Sequence, residues 1–534
     1  MKNLFRPSGP AKRQNACVIG NVQPRFCSKT IRILSFFILL LAGGCTSSQE
    51  TSVKQPNIVF IIADDLTWSG IHALGNDEIK TPNIDRLADQ GTTFTHAYNM
   101  GAWTGAVCIA SRTMLISGRT VWNANEFSQR WEKGQDLDKT WGKLMEKQGY
   151  KTFMAGKWHV SAAADKVFQQ TKNVRPGMPK DAWDHETMTR IFSEYNAGTT
   201  PLTEIMPVGY HRPLNEEDTS WSPSDPRFGG FWEGGTHWSE VLRNDAIEFI
   251  ESTVDDPQPF FMYVAFNAPH DPRQAPREFL DLYNVNDLSL PESWAAEYPY
   301  KDGIGNGHDL RDEALAPFPR TEYATKKHLQ EYYAITSHLD HQVGLILSAL
   351  KDQGKMENTY IIFTADHGLA MGRHGLMGKQ TLYDHSLRVP FIVAGPDVPP
   401  GKLISEDIYI QDAMPTGLEL AGGSPPGYVE FNSLLGLLRE EQVTSPYPAI
   451  YGAYLDLQRM IRKDGFKLLV YPGMEKVMLF DMNNDPEEVN DLAGNSDYDD
   501  KVLAMFEALI LLQKQMNDEL DLVPLYKELK GKTG

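Results

Sequence analysis

The run Asn57–Ala63 is apolar and rich in β-branched residues (NIVFIIA), and it is bounded by Pro56 and Asp64. A strand that is apolar at successive positions, not at alternate ones, is buried on both faces, as in a parallel sheet. Similar runs recur at KTFMA (residues 151–155), at FFMYVAFN ending near Asn267, at YIIFTA before Asp366 and at VPFIVAG before Pro396. Helical patterns lie between them. Thr81 and Pro82 supply an N-cap and a first-turn proline for a helix ending at Gly91. A second helix is predicted from Thr140 to Gly149. A third runs from Thr325 to Gly354, where Leu329, Tyr333, Leu339, Val343, Ile346 and Leu350 repeat at helical spacing. Strands alternating with helices predict an α/β fold, a large doubly wound and mostly parallel sheet flanked by helices.

Two stretches break this rhythm. Residues 160–240 and 285–322 are rich in Trp, Pro, Gly and Asp, as in WSPSDPRFGGFWEGGTHW, and are expected to be long loop insertions in a catalytic domain spanning 56–440. Past residue 445 the pattern changes. MIRKDGFKLLVYP, a turn at Gly473 and KVMLFDM suggest antiparallel strands, followed by a helix near Val502 to Leu520. A smaller C-terminal α+β domain, antiparallel sheet plus helix, is therefore expected over 445–534. Internal repeats are absent from the sequence.

The chain has 534 residues, 41% of them hydrophobic, which is ample for a large core. Its 51 Lys and Arg against 70 Asp and Glu leave a formal charge of −19, which disfavours nucleic acid and anionic membrane as partners. A cluster of cations in such a chain is therefore informative. One is at the N-terminus, where Lys2, Arg6, Lys12, Arg13, Arg25, Lys29 and Arg32 precede ILSFFILLLAGGC without any acidic residue. The apolar run is too short to span a bilayer comfortably and reads as a signal segment. Small residues directly before Cys45 resemble a bacterial lipobox, although Ala42 stands where a larger aliphatic residue is usual. The expectation is a signal over 1–45 cleaved before a lipidated Cys45, with a tether over 46–55. The protein is then an exported lipoprotein of the outer membrane, cell surface or periplasm-facing leaflet, in contact with the membrane only through its lipid. The simpler alternative is a cleaved signal and a soluble secreted or periplasmic protein.

Four cysteines occur, at 17, 27, 45 and 108. If the first two are removed and Cys45 carries lipid, Cys108 is an unpaired thiol in an oxidising compartment.

Polar residues recur where the buried runs stop. Asp64 and Asp65 follow the first, Lys157 and His159 the KTFMA run, His270 the YVAFNAP run, and Asp366 and His367 the YIIFTA run. Any one of these is unremarkable as a loop or capping residue. Four at corresponding places suggest a site, because open α/β sheets bind ligands beyond the carboxyl ends of their strands. Asp64, Asp65 and Asp366 are hard oxygen donors suited to Ca²⁺ or Mg²⁺. Arg112, Lys157 and Lys379, with His159 and His270, suit a compact anion. The combination suggests metal-assisted attack on an oxyanion ester. Cys108, at the start of a helix, is a candidate nucleophile whose pKa a helix dipole would lower. It is equally readable as a small buried hydrophobe, and soft sulfur is a poor companion for hard carboxylates. On the residues alone, these readings stay open.

CIASR followed by TMLISGR resembles the C-x-(P/A)-S-R signature of the type I, formylglycine-dependent sulfatases of the alkaline phosphatase superfamily. PNIVFIIADDL, IKTPNIDRLADQGTTFTHAY, LMEKQGYKTFMAGKWH, FFMYVAFNAPHDP, FTADHGLAMGRHGLMGKQTLYDHSLRVPFIV and GFKLLVYP…LFDMNNDPEEVNDLA follow in the family's order. The resemblance, which extends to bacterial polysaccharide sulfatases, implies that a maturase oxidises Cys108 to formylglycine, whose hydrate is the nucleophile. It implies that Arg112 supports that residue. Asp64, Asp65, Asp366 and His367 would hold a divalent cation, usually Ca²⁺, with the modified Cys108. Lys157 and Lys379 would hold sulfate oxygens, His270 would assist the leaving alcohol, and His159 would take the proton that releases sulfate. Two departures stand out. Many members have Asn where this chain has His367, and the usual Leu-Gly after GKWH is missing.

An exported sulfatase with aromatic-rich insertions suits a sulfated polysaccharide or oligosaccharide, such as ulvan, carrageenan, fucoidan or a glycosaminoglycan. His211, Arg212, Trp232, His237, His374 and Arg388 are candidate substrate-binding residues. Two rivals remain at this level: a phosphodiesterase or phosphonate hydrolase of the same superfamily, and a non-catalytic surface lipoprotein that binds glycan.

Overall fold

The run predicted at Asn57–Ala63 is the strand Asn57–Asp64, and all of its residues are buried. It lies between Phe260–Pro269 and Thr359–Ala365 and is parallel to both. Lys151–Lys157 pairs in parallel with the outer side of Phe260–Pro269, and Gln170–Arg175 closes that edge. On the other side Arg388–Ala394 runs antiparallel to both Thr359–Ala365 and Thr92–Tyr98. Short strands Lys402–Ile404 and Ile408–Tyr409 finish the nine-stranded sheet. The predicted mostly parallel sheet is thus present, with one strand reversed. An all-apolar run reports burial on two faces and carries no information on direction.

The computed structural model describes residues 54–533 apart from 199 and 201. The expected signal, Cys45 and most of the tether lie outside the described residues. From Lys54 onward the chain forms one compact unit, and no described helix is long and apolar enough to cross a membrane.

The predicted helices occur as Pro82–Gln90, Trp141–Lys147 and Glu322–Asp352. The last is 31 residues long and begins at a Thr321 cap that accepts from the Ala324 N–H. From its middle, Asp340 accepts from the N–H groups of Asn83 and Ile84 at 3.0 and 2.7 Å, capping the neighbouring helix from outside. Between sheet and helices, Phe60 packs against Trp141 and Tyr263 with ring centroids 5.0 and 5.2 Å apart.

The segment 160–240 is more regular than its composition suggests. It contributes the edge strand Gln170–Arg175 and the helices His185–Asn196 and Trp238–Ser252. The strand is polar because it is an exposed edge, which hides it from a search for apolar runs. Trp183, Met188, Ile191, Tyr210 and Trp221, together with Leu315, build a separate small core there.

The C-terminal part forms a second sheet in the order Lys476–Asp481, Phe466–Tyr471, Gln458–Lys463, Ile450–Tyr454 and Gly101–Ala102. Its four C-terminal strands are antiparallel neighbours. The helix Asp499–Gln515 buries Val502, Phe506 and Leu509 against it, and a further helix, Val523–Thr533, follows. Gly101–Ala102 is parallel to Ile450–Tyr454. It ties this sheet to the segment just ahead of Cys108.

Candidate active site

Parallel strands point their carboxyl ends at one edge, and four of them bring their trailing polar residues together there. Asp64 ends the first strand and Asp65 follows it in a left-handed conformation, φ 69°. His159 is also left-handed, φ 52°. Such backbone in non-glycine residues is sustained only where the surroundings over-determine it.

Cys108 is the second residue of the helix Val107–Ser117, where unpaired backbone N–H groups and the positive end of the helix dipole lie. It is buried. Its Sγ is 3.1 Å from His367 Nε2 and 3.6 Å from Lys379 Nζ. Burial alone would raise the thiol's pKa, but Lys157, Lys379 and His367 outweigh it and hold the group well below the ordinary thiol range.

Arg112 lies one helical turn beyond Cys108 and is fully buried. Its Nε donates to Asp366 Oδ2 at 2.9 Å and its Nη1 to the Lys157 carbonyl at 2.9 Å. Ser111 Oγ donates to the Asp366 carbonyl at 2.7 Å. Three hydrogen bonds therefore bolt this helix across two strand ends. Lys157 pairs with Asp64. Lys379 donates to both oxygens of Asp65 at 2.9 and 3.1 Å and lies 2.8 Å from His270 Nε2. His270 Nδ1 faces the Asp271 carbonyl at 2.8 Å. Burial and the neighbouring Lys379 work against a charged His270, yet Asp65, Asp271 and Asp64 outweigh them and push its pKa up to about 10. His159 is the opposite case. Burial pushes it below the ordinary imidazole value, and its Nδ1 has no hydrogen-bond partner.

Asp64, Cys108, Asp366 and His367 each offer a ligand atom, all within 4.8 Å of one another. Asp65, Cys108 and His270 form a second such group. Burial, Asp366 and Cys108 push the Asp64 carboxyl well above its ordinary value, and its Oδ1 lacks a hydrogen-bond partner. An orphaned buried carboxylate oxygen beside a second carboxylate is a fit for a hard divalent cation. His367 adds a nitrogen donor to this oxygen set.

A cavity of about 800 Å³ opens over these groups, with Cys108, His159, His270 and Lys379 in its lining. Lys157 and Arg112 are buried behind it. The remaining wall comes from residues the sequence did not single out. They include Met178, Met188, Phe192, Ser193 and Asn196 of the insertion, Asp309, Arg311 and Asp312 of the second irregular stretch, and Gln380. The only sequence signal for the acids was their density in HDLRDE.

The six residues expected to bind substrate are not among those lining this cavity, and most have structural partners. Arg212 is bidentate to Glu331, with Nη1 at 2.8 Å, and stacks 4.2 Å from the Trp221 centroid. His237 caps the helix Trp238–Ser252 through the Ser239 N–H and packs on His338. Trp232 donates to the Pro223 carbonyl and packs on His237. His374 stacks on Tyr383 at 4.1 Å. Arg388 donates to the Thr95 carbonyl and lies over Trp68. His211, half-buried and left-handed, bonds through its backbone to Ala314. Ring and guanidinium groups in irregular stretches here serve packing, which composition does not distinguish from binding.

The family model described as Sulfatase matches residues 56–424, and one described as N-sulphoglucosamine sulphohydrolase, C-terminal, matches residues 372–515. An arylsulfatase of Clostridium perfringens is 28% identical, with 85% of this chain and 94% of that one covered. An N-acetylglucosamine-6-O-sulfatase of Bacteroides thetaiotaomicron is 25% identical over 90% of each chain. Two solved structures share the fold. One is a complex with D-glucosamine-2-N,6-O-disulfate, at TM-score 0.65 and 21% identity, covering 87% of this chain and 99% of that one. The other is a phosphonate monoester hydrolase of Agrobacterium radiobacter, at TM-score 0.64 and 20% identity, covering 86% and 96%. With its matched segment spanning the whole strand-end site, the chain belongs to the sulfatase family and is a sulfatase.

Proposed function

We propose that the enzyme removes sulfate from a sulfated polysaccharide or oligosaccharide, with Cys108 matured to formylglycine and Ca²⁺ as the cation. The observation that carries this is the setting of Cys108. A buried free thiol lies in the first turn of a helix and in the lining of a cavity, beside Lys379 and the Asp64–Asp366–His367 cluster. A glycan is supported by relatives named N-acetylglucosamine-6-O-sulfatase and ulvan-active sulfatase.

The hydrated aldehyde would supply the attacking oxygen and the cation, held by Asp64, Asp65, Asp366 and His367, would offset the acids' charge and polarise that oxygen. The chain's own residues do the rest. Lys379 faces the cavity and holds a sulfate oxygen. Lys157, behind Cys108, keeps positive potential at that end of the site. His270, kept protonated by Asp65 and Asp271, presents its proton towards the ester oxygen of the leaving alcohol. His159, neutral and with a free Nδ1, accepts the proton needed for turnover. Arg112 touches no substrate. It is a positioning residue that holds Asp366 and the Lys157 backbone in register.

The test is sulfate release by enzyme co-produced with a maturase, with peptide mass analysis of the segment around Cys108. Conversion to the aldehyde and loss of all release in Cys108→Ala are expected. Sulfate release by Cys108→Ala, or faster turnover of matched phosphate or phosphonate esters, overturns the proposal. The same reading takes Cys45 as the lipid-bearing residue of an exported protein. Fatty-acid labelling of the full chain that survives in Cys45→Ala would refute that part.

A further inference from the structure

We infer that the cavity selects a sugar carrying a single sulfate and rejects one bearing a second anion, whether a uronate carboxylate or another sulfate. This rests on the sulfatase reading and narrows its substrate class.

At the reacting end, Lys379 and His270 lie 2.8 Å apart in the lining, with Lys379 Nζ 3.6 Å from Cys108 Sγ, and on the sulfatase reading they serve the one sulfate. Away from that end, Arg311 is the only Lys or Arg among the described lining residues. It is not available to a ligand. Its guanidinium pairs with both Asp271 and Asp312, which leaves it no charge to spare for a ligand. Asp312 is held further by Gln380 Nε2 at 2.6 Å. Asp309, exposed in the same wall, adds a carboxylate with no basic partner recorded among the described residues. Arg212 is locked to Glu331 in a buried pair outside the lining, and Arg190, on the helix that carries Met188 and Phe192, is an exposed residue outside the lining that pairs with Glu194 at 3.1 Å.

Ile109, Met178, Met188 and Phe192 add apolar surface to the lining, beside the uncharged polar residues Thr189, Ser193 and Asn196. Met188 and Phe192 are anchored in the insertion's own core with Trp183, Tyr210 and Trp221. Thioether and phenyl surface of this kind fits the C–H face of an uncharged sugar ring and gives nothing to a carboxylate. A second anion on the substrate would therefore be desolvated against apolar side chains or set beside Asp309 and the acids around Arg311, with no unpaired Lys or Arg among the described lining residues to offset either. Like charges placed together act as a device against the wrong ligand.

The experiment uses the matured enzyme and four esters: a simple aryl sulfate, a monosulfated neutral oligosaccharide, the same oligosaccharide with a neighbouring uronate, and the same with a second sulfate. The expected kcat/KM for the monosulfated neutral sugar exceeds those for both dianionic ones by about tenfold at low salt, and the gap closes as salt screens the repulsion. In Asp309→Lys the gap should narrow by about threefold or more. A wild-type ratio below about fivefold, or a gap unchanged in Asp309→Lys, overturns the inference while leaving the sulfatase reading intact. No release from any of the four, the aryl sulfate included, overturns the sulfatase reading and the inference with it.

Discussion

Replacing Arg112 by Met removes a cation that the fold cannot substitute. The side chain is fully buried, as are Asp366 and Asp64 on either side of it. In the variant, Asp366 Oδ2 loses its 2.9 Å donor, and the Lys157 carbonyl loses the Nη1–H at 2.9 Å. Removing one partner of a buried ion pair costs about 3–5 kcal/mol, because the other charge stays buried and uncompensated. An unsatisfied buried carbonyl adds about 1–3 kcal/mol where it is not re-solvated. Net stability of a folded chain is about 5–15 kcal/mol, so the variant should be folded but markedly weakened. Urea unfolding in chelator, followed by fluorescence and circular dichroism together, measures this for Arg112→Met, Asp366→Asn and the double variant. The expected outcome for Arg112→Met is a lower midpoint at unchanged slope, corresponding to about 3–5 kcal/mol. Coupling between the two sites should exceed about 1 kcal/mol, because removing the carboxylate's charge removes most of the reason for the arginine. Strictly additive losses, or a wild-type midpoint for Arg112→Met, would refute the assignment of Arg112 as the tie between helix and strands.

Gly156→Ala should lower both stability and kcat/KM. Gly156 is left-handed, φ 90°, and an added Cβ would collide with the Ala265 carbonyl, displacing the strand end that carries Lys157; wild-type activity in this variant would contradict the placement. Asp412 is raised to about 7 by burial, despite donation from Tyr447 OH and the N–H groups of Tyr409 and Asn432. Because the folded value exceeds the unfolded one, its contribution is present below about pH 4 and is lost as pH rises to about 7, a span on the order of 4 kcal/mol. Asp412→Asn should flatten the stability–pH curve over that window, and an unaltered slope would rule this out. Chelation should lower both sulfate release and melting temperature by exposing the Asp64–Asp366 repulsion, and Ca²⁺ should restore both. A melting temperature indifferent to chelator and Ca²⁺ would argue against a cation there.

Much of the site was legible in one dimension. Asp64, Asp65, Lys157, His159, His270, Asp366 and His367 each follow a buried run, and parallel strands must bring such positions to one edge. Cys108 and Arg112 share a helix at a spacing of four, so their common face follows from helical geometry. What a run of apolar residues cannot record is direction or partner. The reversal of Arg388–Ala394, the edge strand Gln170–Arg175 and the pairing of Gly101–Ala102 with the second sheet depend on contacts between segments far apart in the chain. The fate of charged and aromatic residues in the irregular stretches is decided in the same way. Arg212, His237 and Arg388 look like binding residues until Glu331, the Ser239 N–H and Trp68 are seen to occupy them. Met188, Phe192 and Asp309 look like packing or surface until the cavity opens beside them. By itself, the sequence determined which apolar runs are buried and which chemistry stands at the strand ends, since both are local consequences of periodicity. Only the tertiary structure decided which charges are already neutralised and which remain to meet a substrate, since that depends on long-range partners.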